Sequence, residues 1–133
     1  MNAGGCLCGA VRYEVRGPLR DVLVCHCSEC RRWSGQAWPA TAARRDDLVL
    51  VSADALRWVV SPESDANASR GFCSECGSCL FWDAPGWDHV AIGAGTLDDA
   101  VGLKIAARAY IRGAPPHDPV PDDGTPRFDA LPT

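Results

Sequence analysis

The sequence lacks a long apolar run and lacks an excess of basic residues. No stretch reaches the roughly 18 apolar residues that a membrane-spanning helix needs. The net charge of −4 disfavours a nucleic-acid backbone or an anionic membrane as the main partner. The first residues, MNAGGCLCG, lack the basic region and apolar stretch of a secretory signal. We therefore expect a cytoplasmic protein that binds neither nucleic acid nor membrane.

The chain also lacks a linker that would divide it. Its 133 residues suit one domain with a real core, and its hydrophobic content of 47% is in the globular range. We expect a single domain over residues 1–133. Its last segment, 113–133, holds six prolines in 21 residues and is expected to be an extended tail, docked through Phe128 and not helical.

Short strand patterns separated by turn signals predict a mainly β domain. Val11, Tyr13 and Val15 alternate with polar neighbours, which is the period of a strand. Further strands are predicted in the segments LVLVSA, LRWVVS, CLFWD, DHVAIGAG and LKIAARAYI. DVLVC is a short apolar run that ends at Cys25.

Turn-forming residues predict the connections between these strands. Gly35 and Pro39 are expected to bound a turn, SPESDANAS to form a loop, and LDDAVG to form a turn or one helical turn. Helix is expected only for a turn or two after the motif CHCSEC. The fold class is therefore mainly β with little helix.

Eight cysteines are the most informative feature of the composition. In a chain without a secretory signal, the reducing cytosol disfavours disulfides. Metal binding or thiol chemistry is the better interpretation.

Two cysteine pairs resemble each other in local sequence. CLCGAVRYEV and CSECGSCLFW each place a Cys-Gly step just before a strand, and glycine supplies the backbone angles that a zinc knuckle needs. Together the pairs offer four thiolates, which suits one tetrahedral, structural zinc ion. The alternative is that the pairs belong to different centres or to a redox couple. The candidate ligands are Cys6, Cys8, Cys73 and Cys76.

The motif CHCSEC offers a second, separate set of ligands. Cys25, Cys27 and Cys30 can converge on one ion if the chain turns after Cys27. Three protein ligands and one exchangeable position are typical of a catalytic zinc site. His26 lies between two of these ligands, so its side chain should point away from the sulfurs if the backbone is extended. The remaining roles for His26 are a contact with the metal ligands, a contact with the substrate, or simple packing.

The remaining cysteine and several neighbours of the motif keep two interpretations each. Cys79 either closes the second set as a fourth sulfur or is a small buried hydrophobe. Trp33, Ser34 and Gln36 are candidates to line a pocket. Trp82 is expected in the core. Arg31 and Arg32 either attract a substrate carboxylate or form a solvated surface pair.

The motifs GGCLCGAVRYEV, CHCSECRRWSG and GFCSECGSCLFW, in this order, resemble the GFA family of glutathione-dependent formaldehyde-activating enzymes and centromere-protein-V-like proteins. The resemblance runs from Gly4 to about Trp82, with a weaker echo at DDGTPRF. It implies an Mss-four-like zinc-binding fold of short twisted sheets with zinc knuckles, shared with a Rab-interacting chaperone. The domain over 1–133 would then be GFA-like.

The resemblance also implies two zinc ions per chain. One zinc ion would be bound in a closed site by Cys6, Cys8, Cys73 and Cys76. The other would be held by Cys25, Cys27 and Cys30 in the catalytic site, which is open to a thiol such as glutathione and is expected to be partly empty. The implied activity is condensation of formaldehyde with glutathione to S-hydroxymethylglutathione, a carbon–sulfur lyase in the reverse direction. The alternatives are a non-catalytic, zinc-stabilised binding module and a redox protein in which Cys27 and Cys30 form a reversible disulfide. The oligomeric state is left open.

Overall fold

Two β-sheets and one short α-helix make up the computed structural model, which describes residues 1–99 and 102–132. Single 3-10 turns lie at Arg45–Asp47, Ala94–Thr96 and Ile111–Gly113. The predicted mainly β architecture with little helix is confirmed. In chain order, the elements are β1 Asn2–Gly5, β2 Arg12–Val15, β3 Val22–Cys25, α1 Ser28–Ser34, β4 Trp38–Arg44, β5 Leu48–Ser52, β6 Leu56–Val60, β7 Ser69–Cys73, β8 Cys79–Asp83, β9 His89–Gly93 and β10 Ile105–Ala109.

The sheets differ in size and in strand direction. The smaller sheet is antiparallel and has the order β1-β2-β5. The larger sheet has the order β10-β3-β4-β9-β8-β7-β6 and is antiparallel except for the parallel pair β10 and β3. β5 and β6 follow each other in the chain but lie in different sheets. The predicted strands LVLVSA and LRWVVS are therefore both present without pairing as a hairpin.

The main core includes alternating residues of β2 and of the position just before it. Val11, Tyr13 and Val15 are each at most 1% exposed, which confirms the predicted alternation. The rings of Tyr13 and Phe81 meet edge to face at 5.4 Å, and the Tyr13 hydroxyl lies 2.7 Å from Thr96 Oγ1. A buried phenol is thus given a polar partner, as a buried hydroxyl requires.

The sequence predicted a helix after the CHCSEC motif, but α1 begins inside the motif, at Ser28. Cys27 is its N-cap, and the Cys27 sulfur accepts a hydrogen bond from the Cys30 amide at 3.3 Å. Gly35 ends the helix in the left-handed conformation at φ +82°, where glycine has no Cβ penalty. In the described part of the chain, no helix is long and apolar enough to cross a membrane.

The sequence predicted a turn bounded by Gly35 and Pro39, and this prediction is wrong for Pro39. Pro39 is the second residue of β4, opposite Val24 of β3. The pairing of β4 with β9 starts only at Ala40, so Pro39 needs no amide for that ladder. Proline is tolerated near the start of a strand for this reason.

Strand β7 was not predicted, because SRGFC has no alternation of polar and apolar residues. Gly71 in its centre allows two aromatic rings to close over the strand. A Cβ built there would lie 3.1 Å from the Trp58 ring and 3.2 Å from the Phe81 ring. Those two rings stack on each other at 6.0 Å. Strand β1, with the sequence NAGG, was missed for the same lack of pattern.

The tail after Gly113 runs along the outer edge of β10. The Arg108 amide donates to the Pro126 carbonyl at 2.9 Å, and the Phe128 amide donates to the Arg108 carbonyl at 2.9 Å. The Arg108 side chain also pairs with Asp123 at 3.1 Å. Of the connection predicted in LDDAVG, residues 100 and 101 lie outside the described part of the chain.

Candidate metal centres

The structure brings the two Cys-Gly motifs together at one end of the sheets. The Sγ atoms of the four cysteines all lie within 4.8 Å of one another. Gly9 at φ +85° and Gly77 at φ +77° directly follow the second cysteine of each pair, so glycine does supply the left-handed turns. The Val11 amide donates to the Cys6 sulfur at 3.2 Å. The group consists of Cys6, Cys8, Cys73 and Cys76.

These four sulfurs fit a tetrahedral zinc ion. Zinc–sulfur bonds of about 2.3 Å at tetrahedral angles place neighbouring sulfurs about 3.8 Å apart. The Cys6 and Cys8 sulfurs are 3.6 Å apart, and the Cys8 and Cys73 sulfurs are 3.8 Å apart. The donor set and its spacing therefore both suit a closed site.

The second group forms where β3 ends and α1 begins. Cys25 is the last residue of β3, Cys27 caps α1, and Cys30 lies in the first turn of the helix. Their Sγ atoms lie within 4.8 Å of one another. The turn after Cys27 that the sequence required is thus the start of a helix. We call these three residues the cysteine triad.

The three thiols of the triad share protons unequally. Hydrogen bonds from Cys25 and Cys30 lower the pKa of Cys27 to about 2, and Arg70 acts in the same direction. The hydrogen bonds with Cys27 and Cys30, together with burial, raise the pKa of Cys25. A cluster that already stabilises one thiolate is suited to a cation, because metal ligands must be deprotonated.

The triad opens onto a cavity of about 310 Å³. That volume is at the lower end for small-molecule sites. Aromatic side chains form much of its wall, and carboxylates from α1 and from the loop before β7 also line it, together with Arg20 and, from the tail, Leu131. The aromatic residues are Trp38, Trp82, Trp87 and Tyr110, and the acidic ones are Glu29, Glu63 and Asp65.

A larger and more open cleft, about 570 Å³, lies between Arg45 and Trp58 and contains no cysteine. Arg45 is fully engaged there, because it forms two bonds to Asp83 at 2.9 and 2.7 Å. We therefore place the candidate site at the smaller cavity, where the thiols lie.

Cys79 and His26 do not join the triad. The Cys79 sulfur lies 3.6 Å from the Trp33 carbonyl oxygen, and burial raises the pKa of its thiol. His26 is 4% exposed, and its Nε2 atom is buried without a hydrogen-bond partner. Burial and the nearby Arg108 lower the pKa of His26. Among the described residues, each cysteine group therefore keeps the membership that the sequence suggested.

Other predicted neighbours of the site are placed differently. None of the five neighbours of the motif that the sequence offered for the site lines the cavity: Arg31, Arg32, Trp33, Ser34 and Gln36. The Ser34 hydroxyl instead donates to the Cys30 carbonyl at 2.8 Å, within the helix. The expectation that Trp82 is core is met in part, since Trp82 is partly buried against a small core cluster that contains Cys30 and Trp38 and also lines the cavity.

Sequence reasoning missed four groups of the cavity wall: Arg20, Arg70, Tyr110 and the acidic rim. Tyr110 offers a signal in the structure alone, since it is held in the left-handed conformation at φ 53°. Such non-glycine residues tend to cluster at functional sites. Nothing in the local sequence marks Arg70, because the order of the strands brings it to Cys30.

Fold and site together define a mainly β protein with two cysteine clusters that could hold metal ions. The family model described as glutathione-dependent formaldehyde-activating enzyme matches residues 1–113. The chain belongs to this GFA family, as the motifs predicted.

Two curated relatives agree with that assignment. A Halomonas elongata protein named as a putative glutathione-dependent formaldehyde-activating enzyme is 35% identical over 92 residues, 65% of this chain and 59% of the relative. A Schizosaccharomyces pombe protein named as an uncharacterised lyase is 27% identical over 79 residues, 59% of this chain and 55% of the relative. The chain thus spans little more than half the length of these relatives.

A solved structure supports the fold. A crystal structure of a Rhodobacter sphaeroides protein, determined as a structural-genomics target, matches with a TM-score of 0.61 at 26% identity. The match covers 95% of this chain and 98% of that one. The shared fold thus extends over most of the chain.

Proposed function

We propose that this protein is a zinc-dependent enzyme of the carbon–sulfur lyase type, which joins an aldehyde to a thiol and releases it again. Glutathione and formaldehyde are the proposed pair, giving S-hydroxymethylglutathione. Membership of the GFA family and the names of the two relatives support the reaction class. The observation that carries the proposal is the cysteine triad on the wall of a cavity of about 310 Å³.

The two cysteine groups are assigned different tasks. Cys6, Cys8, Cys73 and Cys76 would hold a structural zinc ion that ties the β1–β2 turn to the β7–β8 turn. The triad would hold a second ion with three sulfurs, which leaves one position for a substrate. The contact of Cys79 with Trp33 supports this open position, since that sulfur is engaged elsewhere.

When bound at the triad, zinc would supply positive charge that keeps a substrate thiol ionised near neutral pH and polarises a carbonyl oxygen. In the proposed reaction, the thiol sulfur forms a bond to the aldehyde carbon, and the thiol proton ends on the former carbonyl oxygen. The reverse reaction breaks that carbon–sulfur bond and restores aldehyde and thiol. No oxidant or reductant is needed in either direction.

The protein groups around the cavity have the charges that a peptide thiol needs. Arg20 is the proposed partner of a substrate carboxylate, since among the described residues its guanidinium donates to the backbone carbonyls of Asp21 and Ala40 and pairs with no acidic side chain. Glu29, Glu63 and Asp65 would face an ammonium group. The aromatic walls exclude water from the reacting atoms.

Tyr110 is the proposed hydrogen-bond donor to the aldehyde oxygen. Burial and the nearby triad thiolates raise the pKa of Tyr110, so its phenol stays protonated at neutral pH. The same phenol lines the cavity that contains the triad sulfurs. A neutral donor at this place stabilises the oxygen as it gains negative charge.

The test is a direct measurement of exchange. Carbon-13-labelled formaldehyde and glutathione equilibrate with their adduct, and exchange spectroscopy measures the rate in the presence and absence of zinc-loaded protein. We expect acceleration that disappears in Cys27→Ser and persists in Cys79→Ser. Equal rates with and without the wild-type protein, for glutathione and for a simple thiol such as cysteamine, would contradict the proposal.

A further inference from the structure

Arg70 is a buried cation directly behind the cysteine triad. It lies on β7 and is 4% exposed. Burying a charge without a partner is expensive, so a buried guanidinium needs a counter-charge or a full set of acceptors. The partners of Arg70 therefore indicate what the residue is for.

Three contacts fix the guanidinium in one position. Its Nε donates to the Ser61 hydroxyl at 3.0 Å. The central carbon of the group lies 5.1 Å from the centre of the Trp33 ring, a cation–π distance. One terminal nitrogen donates to the Cys30 sulfur at 3.4 Å. Two neutral groups thus hold the cation, and the third contact points it at a ligand of the triad.

No carboxylate pairs with Arg70 within residues 1–99 and 102–132. Buried Arg108 differs in this respect, because it is paired with Asp123 at 3.1 Å. Of the three groups that Arg70 contacts, the Cys30 sulfur is the one that can carry a negative charge. A guanidinium cannot give up its proton in a protein, so Arg70 keeps a positive charge directed at that sulfur.

We propose that Arg70 is the internal counter-cation of the triad, a positioning residue whose hydrogen bond to the Cys30 sulfur offsets the negative charge of the three metal-bound sulfurs. The inference rests on the metal site of the proposed function and deepens it. Three thiolates around one divalent ion leave one negative charge in excess, which one guanidinium balances. The hydrogen bond also withdraws electron density from the sulfur, which leaves the bound ion more able to attract a substrate thiol.

The four-cysteine group shows the contrast. Hydrogen bonds to its sulfurs come from neutral groups, such as the Val11 amide at Cys6 and the Ser78 hydroxyl, 3.2 Å from Cys76. A closed structural site has no need to attract a further anion. In the described part of the chain, the triad has a guanidinium hydrogen-bonded to one of its sulfurs, whereas Arg12, the cation near Cys6, is paired with Asp98. This contrast matches the proposed difference between the two sites.

The experiment compares Arg70→Gln and Arg70→Lys with a matched control, Arg57→Gln. Arg57 lies on the neighbouring strand β6 and is exposed, and in the described part of the chain its guanidinium donates to the backbone carbonyls of Asp54 and Leu56. Zinc per chain is measured, and the affinity of the second ion is obtained by competition with a chelator. Cobalt(II) loading then reports the thiolate-to-metal charge-transfer band of the triad.

We expect Arg70→Gln to keep the first ion and to bind the second about 10- to 100-fold more weakly, the usual effect of removing a hydrogen bond to a metal ligand. The charge-transfer band should move to longer wavelength, because an unbonded sulfur gives up its electrons more easily. Arg70→Lys, which keeps the charge, should recover part of the affinity. Arg57→Gln should behave as the wild type.

Unchanged affinity and an unchanged band in Arg70→Gln would overturn the role of Arg70 alone. A wild-type protein that binds a single ion would instead overturn the metal site of the proposed function. If Arg70→Gln loses both ions through misfolding, Ser61→Ala decides, since it removes one support and keeps the cation. A weaker second site in Ser61→Ala supports the proposal, and wild-type affinity and band contradict it.

Discussion

The sulfur of Cys8 lies 3.8 Å from the sulfur of Cys73, although the two residues are 65 positions apart in the chain. A metal ion bound by both sulfurs would close the loop between residues 8 and 73, which contains β3, α1 and β4. Closing a loop of this length removes chain entropy from the unfolded state, worth about 4 kcal/mol if the link acts as a covalent one would. The four-cysteine group is therefore expected to dominate the stability of the fold.

Cys8→Ser tests this expectation. The variant should lose one zinc ion per chain and melt roughly 10–20 °C below the wild type, because about 4 kcal/mol of loop closure is lost. Cys79→Ser is the matched control, since Cys79 belongs to neither cysteine group. Differential scanning calorimetry with elemental analysis measures both effects. Equal melting temperatures for Cys8→Ser and the wild type would contradict a structural role.

Cys25→Ser should separate the two groups. Because Cys25 belongs to the triad alone, the variant should keep the first ion, lose the second, and lose exchange activity with little change in melting temperature. Elemental analysis, calorimetry and the exchange measurement check the three parts. A variant that still exchanges formaldehyde at the wild-type rate would show that the triad is not the reaction centre.

Tyr110→Phe should lower the exchange rate at saturating substrate by roughly 10- to 100-fold, since one hydrogen bond to the reacting oxygen is removed. Zinc content should stay at the wild-type value, because the phenol is not a ligand. The apparent KM for the thiol should change little. A variant with wild-type kcat would remove Tyr110 from the mechanism.

The docking of the tail should depend on the charge of Asp123. Hydrogen bonds from Thr125, and the Arg108 guanidinium beside it, lower the pKa of Asp123 to about 2. A lowered pKa contributes stability above the unfolded value near 4, and the contribution is lost as the pH falls toward 2. Asp123→Asn should therefore speed hydrogen exchange of the Phe128 amide at pH 7.

The difference in that exchange between wild type and Asp123→Asn should narrow as the pH falls from about 4 toward about 2. Comparing the two proteins at each pH cancels the effect of acid on the metal sites. Asp122→Asn serves as the control, because Asp122 is fully exposed and its distance of 3.9 Å from Arg127 is at the limit of an ion pair. A constant difference at every pH would contradict the role of the carboxylate.

Local patterns were sufficient to predict β2 and the grouping of the cysteines. The alternation of Val11, Tyr13 and Val15 predicted β2, and the Cys-Gly steps predicted which cysteines meet. Both signals depend on neighbours in the chain. They fail for β7, where Gly71 is fixed by rings from β6 and β8, and for Pro39, whose place in β4 depends on its pairing with Val24 of β3.

The rest of the cavity depends on the order of the strands. Arg70 reaches Cys30 across 40 positions in the chain, and Tyr110 reaches the triad because β10 pairs with β3. No spacing rule connects such residues, since the parallel pairing and the crossovers are set by the packing of the whole sheet. The wall of the site could therefore not be derived from the motif alone.

The most direct test of the open triad site is the number of sulfurs bound to zinc, before and after glutathione is added. X-ray absorption at the zinc edge of the two-zinc protein measures the average. The account predicts a value below four sulfurs per zinc that rises toward four with glutathione, in the wild type and in Cys79→Ser alike. Four sulfurs per zinc without glutathione, falling in Cys79→Ser, would show a closed site and contradict the account.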